Sequence, residues 1–222
     1  MKEISVFEVI GPNMIGPSSS HTAGALRIAR AAAGMIGEPI ESVQFRLYGS
    51  FALTYRGHGT DRALLGGILG YDTEDERIRD SFLEANRRGI AYAFIPDAEK
   101  SVDHPNTVDI TIAGTGGGTV YVTGVSTGGG NMKITALNGV AVDFTGEYHT
   151  LIVEHLDTPG MVRHISGCLA DNQINIAFMK LFREEKGKLA YAIVEADEPI
   201  TPRVINQIMD HSDVRSAKII SI

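Results

Sequence analysis

Three serines, a histidine and a threonine stand in a row in Gly16-Pro-Ser-Ser-Ser-His-Thr-Ala-Gly24, immediately ahead of an apolar run that reads as a helix. A helix start leaves about four N–H groups without intrahelical partners and favours negative charge, and one or two hydroxyls suffice to cap it. Ser18, Ser19, Ser20 and Thr22 exceed that need and could grip a carboxylate or phosphate, with plain capping as the alternative. His21 falls in the same first turn, where the dipole disfavours imidazolium and leaves a neutral ring able to accept a proton or donate a hydrogen bond.

Three further stretches carry similar potential. In Tyr48-Gly-Ser-Phe-Ala-Leu-Thr-Tyr-Arg-Gly-His-Gly-Thr-Asp61, glycines bracket His58, followed by Thr60 and Asp61. His58 and Asp61 are two ligands three apart, too few for a metal site by themselves, so no metal site is expected on this chain, and Asp61 also suits a helix cap. The turn His104-Pro-Asn-Thr107 can aim His104 or Asn106, and Ser126-Thr-Gly-Gly-Gly-Asn131 exposes backbone around Ser126, Gly128 and Gly129. Gly114-Thr-Gly-Gly-Gly118 lacks the final spacing of a dinucleotide fingerprint and reads as a glycine-rich hairpin or bulge. No lysine stands beside a glycine-rich phosphate loop, so nothing points to a pyridoxal Schiff base.

The elements that must position these residues follow from periodicity. Ser20 to Ile36 reads as one long helix, Ser42 to Tyr48 as a strand, Ala63 to Leu69 as a helix introduced by glycines, and Thr73 to Arg88 as a charged helix with Ile78, Phe82 and Leu83 inward. Ile90–Ile95, Thr107–Ile112, Thr119–Val125, Met132–Leu137 and Val140–Phe144 read as strands. After Tyr148 the order is β-α-β-β-α-β, with helices entered at Asp157-Thr-Pro-Gly160 and Thr201-Pro202. The fold class is therefore α+β: a mixed α/β domain over residues 1–147 and a ferredoxin-like βαββαβ domain over 148–222.

Composition narrows the partners. A net charge of -7 argues against nucleic acid and anionic membrane, and the first residues, Met1 to Gly11, alternate without the apolar core of a leader, so a cytoplasmic location is expected. The single cysteine, Cys168, excludes an internal disulfide and a cysteine-ligated cluster built from this chain alone.

The segments GPSSSHTAG, YGSFALTYRGHGTD, HPNT and STGGGN together resemble the β component of the bacterial iron-sulfur-dependent L-serine dehydratases, and residues from about Tyr148 resemble an ACT domain through Asp157, Pro159, Gly160 and Asn175. The N-terminal part is also similar to the allosteric substrate-binding domain of some phosphoglycerate dehydrogenases, without a nucleotide-binding half. The resemblance implies β-elimination of L-serine to pyruvate and ammonia, with a [4Fe-4S] cluster held by a separate α subunit. It implies that Ser18, Ser19, Ser20 and Thr22 hold the substrate carboxylate and that His21 and His58 are catalytic. Thr60, Asp61, Asn106, Ser126, Gly128 and Gly129 would complete the wall, and the base could reside on either chain. Asp157, Pro159, Gly160 and Asn175 would bind a regulatory amino acid, unless Thr-Pro-Gly is simply an efficient helix entry. A homodimer through ACT edges or an α2β2 assembly is expected. Two other readings use the same residues: a non-catalytic amino-acid sensor regulating a partner enzyme, and an independent enzyme with phosphate at the Ser18–Thr22 helix start. Three histidines, His21, His58 and His104, favour catalysis over sensing.

Overall fold

The computed structural model describes residues 13–220, so the alternating segment Met1–Gly11 lies outside the described residues. By internal contacts the chain divides into two units, with the division between Gly139 and Val140.

The first unit is a mixed sheet with helices on one face. A π-helical turn (Ser19–Gly24) runs into α1 (Ala25–Ile36), followed by β1 (Ile40–Tyr48), α2 (Gly49–Thr54) and α3 (Thr60–Ile68). A 3-10 turn (Glu76–Asp80) leads to α4 (Ser81–Arg87) and then β2 (Ala91–Asp97), β3 (Thr107–Gly114), β4 (Thr119–Gly128) and β5 (Asn131–Leu137). The strand order is β2-β1-β3-β4-β5, with β1 parallel to β2 and antiparallel to β3. Strand alternation decides the faces. Val43, Phe45 and Leu47 of β1 are buried while Gln44 and Arg46 are exposed. On the apolar side, α1 contributes Leu26, Ile28, Ala29 and Ala32, all fully buried.

Three elements depart from the sequence expectations. The long first helix opens with a π turn where Gly24 lies against β4 and β5: a Cβ there would come within 2.1 Å of Ser126 Oγ and 3.2 Å of the Asn131 carbonyl. Such wide turns recur at functional sites. Thr73–Arg88 is not one helix. Asp72 and Asp75 side chains accept from the Thr73 and Arg77 N–H groups, a local bonding that competes with the helical ladder, and regular α structure begins at Ser81. The short helix α2 lies inside a stretch that reads as loop, because six residues are too few to display a period. The Gly114–Gly118 segment is a hairpin turn whose Gly116 and Gly118 N–H groups donate to the Glu38 carboxylate. The glycine-rich loop thus cradles an internal carboxylate.

The second unit has β6 (Val140–Phe144), β7 (His149–Leu156), α5 (Met161–Asp171), β8 (Ile176–Arg183), β9 (Leu189–Ala196), α6 (Pro202–Met209) and β10 (Val214–Ile220). Its antiparallel four-stranded sheet has the order β10-β7-β9-β8, the ferredoxin-like arrangement. Leu151 and Val153, Ala192 and Val194 pack under Met161, Ile165 and Leu169 of α5 and Val204 and Ile208 of α6. Cys168 packs against that core, and burial pushes its thiol pKa up, as befits a small apolar filler.

Candidate functional site

The π turn, α2, the α2–α3 loop and the turn before β3 bring the N-terminal candidates together. Ser18 is the N-cap: its Oγ accepts from the His21 N–H at 3.1 Å, and the Thr22 N–H donates to the Ser18 carbonyl. Ser19 and Ser20 begin the turn itself. His21 Nε2 lies 2.8 Å from Ser50 Oγ and Nδ1 lies 3.4 Å from Ser18 Oγ, so either tautomer finds a hydroxyl. The imidazole meets the His58 ring edge-on at 4.8 Å between centroids and Phe51 at 5.4 Å. Thr22 Oγ1 donates to the His58 carbonyl, which pins the glycine-flanked loop to the turn.

Ser50 is held as firmly as His21. Its N–H donates to the Pro105 carbonyl at 2.7 Å, and its own carbonyl accepts from Thr54 Oγ1. Gly49 at φ 50° permits this, because a Cβ there would stand 2.6 Å from the Pro105 oxygen. Asn106 donates its N–H to His104 Nδ1, and its carbonyl accepts from the Ser126 N–H. The β4–β5 turn follows, with Gly128, Gly129 and Gly130 all at positive φ and Gly128 beside Ser20. Ser126 and Thr60 are fully buried.

Three polar atoms around this cluster are buried without a protein partner: His58 Nδ1, Thr60 Oγ1 and Asn106 Oδ1. Each such atom costs about 1–3 kcal/mol unless something else satisfies it. Their concentration on the segments that carry His21 and Ser50 marks a place where polar partners are expected.

Charge follows from the same packing. Burial lowers the His21 pKa below its ordinary 6.5, and the neighbouring His58 lowers it further. His21 is therefore neutral at pH 7. Burial raises the Asp61 pKa, opposed by the Arg62 N–H that its Oδ1 accepts at 2.8 Å. In a proton NMR titration of the chain, the His21 ring is expected to titrate below 6.5, and His58→Ala is expected to raise that midpoint part of the way, since burial is the larger cause. A midpoint unmoved by His58→Ala would mean the two rings do not interact. Because the unfolded chain binds this proton more readily, the His21 contribution to stability is full above pH 6.5 and is lost as pH falls through the folded pKa.

Residues sequence reasoning did not single out include Ser50, which lies inside a quoted segment but on the unpredicted helix α2. His155 is another. It is 2% exposed, its Nδ1 donates to the Leu156 carbonyl at 2.7 Å, and Nε2 is buried without a partner. It lines a cavity of about 450 Å³ with Asp157, Pro159, Gly160 and Arg183. Asp157 is committed to the hairpin, its pKa held down chiefly by the bond it accepts from the Gly187 N–H and then by Arg183. Asn175 does not line this cavity; its side chain donates to Asp197 and its N–H to Glu198.

Among the described residues no group of three or more His, Cys, Asp or Glu side chains is disposed to hold a metal ion. Cys168, the one cysteine of the sequence, lies on α5, so this chain's donors do not fit an iron-sulfur cluster. No helix among the described residues is long and apolar enough to cross a membrane.

Fold and site together define a chain in which a histidine- and hydroxyl-bearing mixed-sheet domain precedes an ACT domain. The Serine dehydratase beta chain family model matches residues 5–136 and the ACT domain model matches 149–213. The chain is 40% identical over the whole of both sequences to the L-serine dehydratase, beta chain, of Peptoniphilus asaccharolyticus. It is 43% identical over 94% of each to a probable L-serine dehydratase, beta chain, of Bacillus subtilis strain 168. A D-3-phosphoglycerate dehydrogenase of the same strain is 27% identical over 83% of this chain, which spans 35% of that protein's length. The chain belongs to the serine dehydratase beta chain family.

Proposed function

We propose that this chain is the β subunit of a two-component L-serine dehydratase and forms one wall of an active site completed by an α subunit that carries a [4Fe-4S] cluster. The observation that carries this reading is the group of unpartnered buried atoms, His58 Nδ1, Thr60 Oγ1 and Asn106 Oδ1, around the His21–Ser50 pair. These are donors and acceptors for a small polar substrate on a chain that has no ligand set of its own for the cluster.

The reaction is β-elimination. The Cα–H proton goes to a base, the Cβ–O bond breaks with loss of water, and the aminoacrylate formed is hydrolysed through its imine to pyruvate and ammonium. The cluster, when present on the partner, supplies a Lewis acid for the substrate hydroxyl. This chain's part is binding and proton handling. Ser18, Ser19 and Ser20 orient the carboxylate, and Thr22 holds the His58 loop through the hydroxyl it donates to the His58 carbonyl. Neutral His21 takes or gives a proton at Nε2, with Ser50 in line at 2.8 Å. His58 and Thr60 close the site on one side, and Asn106, Ser126, Gly128 and Gly129 on the other. Asp61, held in place by the Arg62 N–H, sets the start of α3. The cavity of the second domain takes a regulatory amino acid, its carboxylate at the α5 start after Gly160 and its ammonium on His155 Nε2.

The test is anaerobic pyruvate formation from L-serine by this chain, by the cluster-loaded partner, and by both together. Turnover confined to the mixture is expected. Full turnover by the partner alone, with this chain merely shifting its serine dependence, would make the chain a sensor and remove the catalytic assignments.

A further inference from the structure

The face of the first sheet away from α1 and α3 carries a polar pocket of about 430 Å³ that the dehydratase reading does not use. Strand alternation builds it. Arg46 and Tyr48 of β1, Asp109 of β3 and Tyr121 of β4 all point to this side, and Asp97 and Lys100 come from the end of β2 and the loop after it.

Its centre is a built network. Tyr48, 1% exposed, donates its hydroxyl to Asp109 Oδ2 at 2.5 Å, and Thr123 Oγ1 donates to Asp109 Oδ1 at 2.7 Å. Burial and the Asp109 bond raise the Tyr48 pKa, so the phenol stays a donor. Asp109 is 9% exposed, yet no cation lies within ion-pair range of it among the described residues; Lys100 reaches it only through the Tyr48 hydroxyl, 3.4 Å from Nζ. Tyr121 also bonds to Asp109, and Arg46 is its cross-strand neighbour without closing an ion pair, so the buried carboxylate has three neutral donors and still retains an acceptor site. The cations opposite are equally underused: Arg46 meets Asp97 at 3.5 Å through a single nitrogen. Lys100 stands over the Tyr48 ring at 4.8 Å.

The lining therefore holds two cationic and two anionic side chains, each with bonding capacity left over. A simple anion or cation would meet as much repulsion as attraction there, whereas a zwitterion presents both complements at once. Few apolar groups line the pocket, which disfavours a large or greasy ligand. We propose that this pocket is a binding site for a small α-amino acid, with its ammonium on Asp109 and its carboxylate on Lys100 and Arg46.

The site connects to the His21 cluster through two short segments. Tyr48 is followed directly by Gly49 and Ser50, and Lys100 precedes by five residues the Pro105 carbonyl that accepts from the Ser50 N–H. Occupancy is thereby felt at Ser50. That coupling rests on the dehydratase reading, while binding itself does not.

The experiment is an NMR titration of the full chain with L-serine and glycine, using acetate and methylammonium as half-ligands. Saturable shifts are expected at the amides of Lys100, Thr111 and Tyr121, with the half-ligands much weaker. Lys100→Met and Asp109→Asn should each weaken binding about tenfold or more. Shifts at Gly160 and Met161 report the other domain's cavity separately. The exposed Lys100→Met change leaves the fold intact, so it decides the matter if Asp109→Asn unfolds. The proposal falls if amino acids shift only residues of the second unit, if strand shifts persist in Lys100→Met, or if acetate matches glycine. No turnover is read, so failure of the dehydratase reading would leave this result standing.

Discussion

In the assembled two-component enzyme, His21→Ala is expected to lower kcat by about 10²–10⁴-fold, the range in which a positioned proton-transfer group contributes. The structural grounds are specific. His21 is neutral at working pH because burial and His58 depress its pKa, and its Nε2 is fixed 2.8 Å from a serine that is itself held by Pro105 and Thr54. A ring that merely filled space would give a different pattern. Its loss would lower the melting temperature and leave kcat near normal, and His21→Gln, which keeps bulk and a hydrogen bond, would restore function. The expected result is that His21→Gln folds and assembles yet stays at least about 10²-fold down. Ser50→Ala should cost less than His21→Ala, since it removes a relay and leaves the imidazole. The acid limb of kcat/KM should lie below pH 6.5, following His21, and should disappear in the His21 variants.

Much of the arrangement behind this prediction was legible in the residues. The βαββαβ order was readable because each helix of the second domain is entered by a proline turn and most strand ends are marked by charged residues such as Asp157, Glu184, Lys188, Asp197 and Asp213. The strands of the first domain were readable from alternation, with bounds extended by the ladder at their ends. Helix α2 was not, nor was the break at Asp75–Asp80, because aspartate caps compete with the helix locally and propensity sums over the window do not register it. Of the site, the hydroxyl and histidine segments were visible as excess polarity at a helix start and in glycine loops. The meeting of His21 with Ser50 depends on a π turn and on Gly49 approaching Pro105, contacts 29 and 56 residues apart in the chain that no local spacing encodes. His155 was missed for the opposite reason: it sits in a strand whose alternation assigns it to the core, and its orphaned Nε2 appears only in three dimensions.

Two neighbouring glycines of α3 should respond to the same substitution with opposite consequences. Alanine normally stabilises a helix by about 1 kcal/mol relative to glycine. At Gly67 the added Cβ would stand 2.3 Å from the Leu26 carbonyl oxygen and 2.8 Å from both Ala29 Cβ and Arg30 N of α1. Those are backbone atoms and a methyl with nowhere to turn, so α1 and α3 must part. Overpacking of this kind costs about 1–3 kcal/mol and at backbone contacts more, which outweighs the propensity gain. Gly67→Ala is expected to lower the melting temperature of the first unit by on the order of 5–10 °C. At Gly66 the nearest atoms are Ser81 Oγ at 3.2 Å and Ile78 Cγ1 at 3.4 Å, side-chain groups that can yield a few tenths of an ångström. Gly66→Ala should therefore leave the melting temperature unchanged or slightly raised. The contrast also reaches the site, because α3 starts at Thr60, two residues after His58, and α1 continues from the turn that carries His21. Parting these helices separates the two imidazoles. In Gly67→Ala the midpoint of the His21 titration should drift up toward 6.5 as its burial and its neighbour are both reduced, while in Gly66→Ala it should stay where it is. Equal melting temperatures and equal titrations in the two variants would mean that the close α1–α3 packing does not set the geometry of the site.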